Sequence, residues 1–195
     1  MSVDANLSCL AHHFLVAMPG LDDALFGHSV VYVCEHNDKG ALGLVLNKPS
    51  DMRVKDLFSK VELPLARPDL QDDWVGVGGP LHTERGFVLH DPMGDDEGSV
   101  YASSLHVPGG LEMTTSRDVL EALSVGAGPK RVRIMLGYAS WGEGQLESEL
   151  AENHWLTVPA DAAVVFDAPA ATQWQHAVAL LGLDSGNLVA GSGHC

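Results

Sequence analysis

The sequence predicts an α+β fold built as a single domain, and three observations carry that prediction. The chain has 195 residues, about one domain's worth and long enough to bury a core without disulfide or metal staples. Its composition, 46% hydrophobic and 19% charged, is that of an ordinary soluble globular protein. Its apolar runs are short and broken by Gly, Pro and Asn, and helical patterns are scattered among them without regular strand–helix–strand alternation. That scatter argues against a doubly wound parallel sheet.

In chain order, His12–Met18 reads as a first strand stopped by Pro19-Gly20. Ser29–His36 and Ala41–Lys48 read as strands joined by "NDKG", a turn with glycine where a positive φ is needed. Pro49 removes the next backbone donor and so ends the second of them. Met52–Lys60 is a short amphipathic helix, followed by a proline-bearing acidic loop. Trp74–Pro80, Arg85–Asp91 and Ser99–Val107 suggest further strands, with Pro92–Gly98 an exposed acidic connection.

Thr114–Leu123 reads as a helix, with Thr115 and Asp118 three apart as in a capping box. Arg131–Ser140 is an apolar strand running into a helix in which Leu146 and Leu150 share a face. His154–Val158 and Ala162–Asp167 read as two more strands. Pro169–Gly182 is the most legible helix: Pro169 suits its first turn, Trp174, Val178 and Leu181 form a buried stripe, and Gly182 stops it. No internal repeat or linker divides the chain, so residues 1–183 are expected to form one domain and 184–195 a fraying tail.

Eleven basic and 26 acidic residues give a formal charge of −15. Such a surface repels phosphate backbones, so direct nucleic-acid binding is unexpected. The densest basic stretch is "PKRVR", ending at Arg133. The three cysteines, Cys9, Cys34 and Cys195, are scattered and match no disulfide or metal framework. With no run approaching the roughly 20 apolar residues of a membrane helix, the expected setting is cytoplasmic, away from membranes.

The stretch "CEHNDKG" sets a thiol, a carboxylate and an imidazole side by side. Strand side chains alternate faces, and a turn centred on Asp38-Lys39 pairs His36 with Ala41, Cys34 with Gly43 and Tyr32 with Val45. On that register Glu35 joins Val31, Val33, Leu42 and Leu44 on the core face. Cys34 and His36 share the other face at about 6.6 Å, two rises of roughly 3.3 Å. The trio is therefore not a contiguous catalytic site, although Cys34 with His36 could offer two ligands to one metal.

"GYASWGEGQLESEL" resembles the strand, turn and helix of a nucleophile elbow around Ser140, but Tyr138 stands where the first glycine of G-x-S-x-G belongs. His154 or His176 could act as base and Asp161 or Asp167 as orienter, with no spacing that demands it. The plainer reading has the glycines permit a tight turn, Ser140 help cap the helix and Trp141 anchor it. "VGVGGPL" lacks both the G-x-G-x-x-G pattern and a following Gly-Lys, so it reads as backbone turn rather than phosphate loop. No cofactor or metal fingerprint is present.

Taken in order, "HHFLVAMPGLDDALFGHSVVYVCEHNDKGALGLVLNKP", "GGPLHTERGFVLH", "MTTSRDVLEAL", "GYASWGEGQLESEL" and "WLTVPAD" resemble the bacterial AlgH/YqgE family from about Phe14 to Leu183. The resemblance implies one compact α+β domain of strongly coiled, bifurcated β-sheets flanked by helices, without a recognisable DNA-binding motif. It implies no settled biochemical activity; members are labelled transcriptional regulators from a genetic association with alginate control. The family commonly reads Gly-Trp where this chain has Ser140-Trp141, which argues against a family serine nucleophile.

The leading expectation is a non-catalytic binding or regulatory protein acting through an unidentified protein or small-molecule partner. Its expected surface gathers Glu35, His36, Asn37, Asn47, Lys48, Thr115, Ser116, Arg117, Tyr138 and Trp141. The alternative is a small hydrolase or metal-dependent enzyme using Ser140, or Cys34 with His36.

Overall fold

A computed structural model describes residues 9–93, 100–108 and 110–182. The tail expected over 184–195 lies outside the described residues. Among the described residues ten strands and five helices follow one another: β1 (His13–Ala17), β2 (Val30–Asn37), β3 (Gly40–Val45), β4 (Pro49–Arg53), α1 (Val54–Lys60), β5 (Trp74–Val77), β6 (Leu81–His90), β7 (Ser104–His106), β8 (Glu112–Thr114), α2 (Asp118–Ser124), β9 (Val132–Trp141), α3 (Gln145–Ala151), β10 (Trp155–Pro159), α4 (Ala162–Phe166) and, after a 3-10 turn, α5 (Gln173–Ala179). Together they form a single α+β domain around a curled, half-barrel-like sheet. Among the described residues no helix is long and apolar enough to cross a membrane.

The sheet runs β10-β1-β2-β3-β9-β6-β8-β7, and β9 is its spine. One edge of β9 pairs with β6, from His90↔Val132 to Leu81↔Tyr138. The other edge forks. Met135 and Leu136 pair in parallel with Gly76 and Val77 of β5, whereas Ala139, Ser140 and Trp141 pair antiparallel with β3.

Glycines make the fork possible. Gly78 donates to the Leu136 carbonyl and accepts from the Val45 amide, bridging both branches. A Cβ at Gly79 would lie 2.1 Å from the carbonyl carbon of Tyr138, and Gly137 itself has φ +78°. "VGVGGPL" therefore serves close backbone approach at a sheet junction.

The β1–β2–β3 layer is buried on both faces. Phe14, Val16, Tyr32 and Leu44 enter one core; Leu15, Val31, Val33 and Val45 enter a second. A third core lies between the β6–β9 ladder and helices α1 and α2. Near-continuous apolar runs such as "FLVA" are what two-sided burial requires.

Several elements depart from the sequence reading. Ala162–Asp167 is not a strand; α4 forms there because Asp161 caps it, accepting from the Ala163 amide at 2.8 Å, and tertiary burial of Val164 and Val165 overrides their β preference. Pro49 opens β4 instead of only ending a strand, a position where its missing donor is tolerated. The capping box at Thr115 and Asp118 does not form: Asp118 begins α2 itself and accepts from the Ala102 amide at 2.8 Å and from the Ser116 hydroxyl. The strand over Ser99–Val107 shortens to β7, and its residue 99 lies outside the described residues.

Candidate functional site

The β2–β3 register shifts by one between Val33↔Gly43 and Glu35↔Leu42, so Cys34 is the extra residue of a β-bulge. This corrects two expectations. Glu35 is exposed rather than turned to the core, and Cys34 and His36 do not share a face. Cys34 joins the first core with Tyr32 and Leu44, while His36 pairs with Ala41 of the second. Burial pushes the Cys34 thiol well above its ordinary pKa, so it stays protonated and inert. The two cannot bind one metal, and among the described residues no group of three His, Cys, Asp or Glu is placed to hold an ion.

His36 is a brace. Its Nδ1 accepts from the Leu10 amide at 3.0 Å, which leaves Nε2–H to donate to Glu147 Oε1 of α3 at 2.6 Å. That hydrogen bond holds the Glu147 carboxyl below the usual glutamate range. One imidazole thus ties the N-terminal segment, the hairpin and α3 together.

Ser140 lies inside β9, opposite Leu42, and the turn comes only afterwards at Gly142–Gly144. The helix that follows is entered through Gly144 in the left-handed region, with no side-chain cap from Ser140. His154 contacts Glu152 at 3.3 Å and His176 bonds the Thr172 carbonyl, so among the described residues no imidazole is hydrogen-bonded to Ser140. The elbow is not built. Trp141 is buried in the second core against Phe26 and Trp155, as an anchor should be.

The ten surface candidates do not meet at one point. Asn37 and Asn47 stand at opposite ends of the hairpin, about 20 Å apart at roughly 3.3 Å per residue. Glu35, Asn37 and Trp141 border a shallow depression with Ser140. Asn47 accepts from the Val30 amide and donates to the His28 carbonyl, and Lys48 donates to the Gly27 carbonyl; both fasten the β1–β2 loop. Tyr138 stacks on His82 with ring centroids 5.7 Å apart.

Thr115, Ser116 and Arg117 do share a cleft, of about 240 Å³, where β8 diverges from β6. Leu57 and Val61 of α1, Val88 of β6, Leu120 of α2 and Ile134 and Leu136 of β9 give it apolar walls. Arg117 donates to the Val61 carbonyl at 2.8 Å and approaches Glu121 at 3.4 Å, fixing the rim. Gly86 opens space in the cleft, since a Cβ there would meet nothing within 4 Å. An apolar floor under a few fixed polar groups can hold a small molecule or a side chain.

Glu147 was missed as the partner of His36 because the two are 111 positions apart. The acidic first turn of α3 was the only available signal. Also missed was the meaning of "PKRVR": Arg131 lies just ahead of β9 and bonds Asp91, whereas Arg133 lies within β9 and lines a pocket.

A curled, forked α+β sheet carrying an apolar cleft, with no assembled nucleophile–base pair among the described residues, defines a class of compact single-domain proteins. The chain belongs to the AlgH-like family, which it matches over residues 14–186. It is 61% identical to a UPF0301 protein of Polaromonas sp. (strain JS666 / ATCC BAA-500) and 59% identical to one of Variovorax paradoxus (strain S110), each match covering 100% of both chains. The solution structure of the AlgH protein from Pseudomonas aeruginosa shares 45% identity and a TM-score of 0.76 over 96% of each chain. A crystal structure of a protein from Corynebacterium diphtheriae, 22% identical, shares the fold with a TM-score of 0.66 over 86% of this chain and 84% of that one.

Proposed function

We propose that this protein is a non-catalytic cytoplasmic binding protein with a regulatory role, acting through a protein or small-molecule partner rather than through DNA. The cleft bordered by Thr115, Ser116 and Arg117 is its binding surface. The observation that carries this reading is the cleft's construction: apolar walls from three helix and strand systems beneath hydroxyls and a guanidinium already held in place. A formal charge of −15 argues against a phosphate backbone as the ligand. The free thiols Cys9 and Cys34 suit a reducing compartment.

Native mass spectrometry of the protein purified from its own cell tests the reading. The expected result is a bound mass that disappears in Leu120→Arg, which blocks the cleft, while its circular dichroism spectrum stays that of the parent. A bound mass retained in that variant overturns the assignment of the surface. A fluorophosphonate adduct abolished by Ser140→Ala overturns the non-catalytic reading.

A further inference from the structure

The arginines of this chain differ in what satisfies them. Arg131 donates from Nε and a terminal nitrogen to both carboxylate oxygens of Asp91, at 2.8 and 2.7 Å, and lies over the Phe166 ring. Arg67 grips Asp69 and two backbone carbonyls. Arg53 donates to the Asp72 carbonyl and covers Trp74 at 3.9 Å. Arg117 is fixed on Val61, as above, and Arg85 stands exposed over Phe87.

Arg133 has none of this. It is partly buried, and among the described residues no carboxylate lies within ion-pair distance and no acceptor takes a hydrogen bond from its guanidinium. A guanidinium carries five donors, and here the described residues supply an acceptor to none of them, leaving them open to a ligand. Burial lowers its pKa, opposed only by the field of Asp73.

What Arg133 faces is a pocket of about 260 Å³. Met135 and Gly76 of the β5–β9 pair form one side, Leu46 and Pro49 another, and Pro169 and Ala170 ahead of α5 the third. Asp72 and Asp73 line it as well. The volume sits just under the ~300 Å³ lower end of ordinary ligand pockets, so it admits only a compact molecule.

We infer that this pocket is a second binding site, in which Arg133 receives the carboxylate of a small monocarboxylic acid whose apolar body packs against Met135, Pro49 and Pro169. The planar guanidinium matches a carboxylate with two parallel hydrogen bonds. The apolar walls take the remainder of the molecule out of water. The two aspartates oppose any anion and a dianion such as phosphate about twice as strongly as a monoanion, so binding rests on the two-pronged contact with Arg133 and on apolar burial that phosphate cannot offer. The site is separate from the Thr115 cleft and stands or falls independently of it.

Amide chemical-shift titration of the full chain with phenylacetate, acetate and inorganic phosphate tests the assignment. Phenylacetate is expected to give saturable shifts at Gly76 and Ala170, with acetate weaker and phosphate weaker still. Arg133→Gln is expected to reduce phenylacetate affinity at least about tenfold and Arg133→Lys less, because a lysine cannot make the two-pronged contact. Ala170→Phe keeps the cation but fills the pocket, and it is expected to abolish binding with the thermal midpoint preserved. Unchanged binding in either Arg133→Gln or Ala170→Phe, phosphate binding as tight as phenylacetate, or no saturation by phenylacetate overturns the proposal.

Discussion

The β2–β3 hairpin meets β9 along one edge only, whereas the β5–β6 segment starts on that same edge and crosses to the other, and the two are built on opposite principles. The hairpin is continuous but for one bulged residue, its turn is short, and away from that turn and Glu35 its side chains fill two cores. The β5–β6 segment begins parallel to β9, crosses a Gly78-Gly79 joint, and returns antiparallel with three extra residues between Leu81 and Gly86. Both pockets described above border β5–β6: Trp74 and Gly76 line one, Glu84, Gly86 and Val88 the other. Where the pairing buries a polar group, as at His36, both of its ring nitrogens are bonded. Irregular pairing leaves concavities, and with them groups such as Arg133 whose bonding capacity is unfilled.

Substituting the joint gives the largest expected effect. Gly79→Ala should destabilise by more than about 3 kcal/mol, because the clash is with backbone and no side chain can move aside. Urea unfolding measures it, and a loss below about 1 kcal/mol would mean that the joint is pliable.

The next effect comes from His90, fully buried near the end of β6. Its Nδ1–H donates to the Asp91 carbonyl at 2.7 Å, and its Nε2 accepts from Thr114, which in turn bonds Ser104. Burial lowers its pKa from 6.5. The unfolded chain therefore takes up the proton first, so stability is complete above that value and declines as pH falls below it. His90→Leu should cost about 1–3 kcal/mol near neutrality and flatten this decline, seen in thermal midpoints measured from pH 7.5 to 5.5.

On the hairpin side the smallest effect is expected. The Glu147 pKa lies below its ordinary 4.5, chiefly through the His36 hydrogen bond, so its contribution is whole above that pH and disappears as pH falls through the depressed value. The Glu147 side chain is 42% exposed, so screening holds the effect of Glu147→Gln below about 1 kcal/mol. Distinct pH windows for the two variants would show that the two regions titrate independently; a shared window would dissolve the comparison.

Legibility follows the same division. The strands of the hairpin and the Trp174 and Val178 stripe of α5 could be read from periodicity, although α5 spans only Gln173–Ala179, entered through a 3-10 turn after Pro169 and ended at Leu180 rather than at Gly182. The bulge at Cys34 could not, since one inserted residue changes which face each later side chain takes without changing composition. Nor could β8, only three residues long, or α4, whose valines suggest a strand until Asp161 caps them. Of the candidate surface, Thr115–Arg117 could be located along the chain. Their cleft could not, because its walls come from α1, β6 and β9.

The sequence by itself determined the α+β class and the place of the hairpin strands along the chain, because these depend on local pattern and punctuation. Only the tertiary structure decided which face each of Cys34, Glu35 and His36 takes, that His36 braces α3, and that Arg131 is paired while Arg133 is not. Hydrogen bonding and desolvation are set by atoms brought within a few ångströms, and in a forked sheet those atoms belong to residues far apart in the chain.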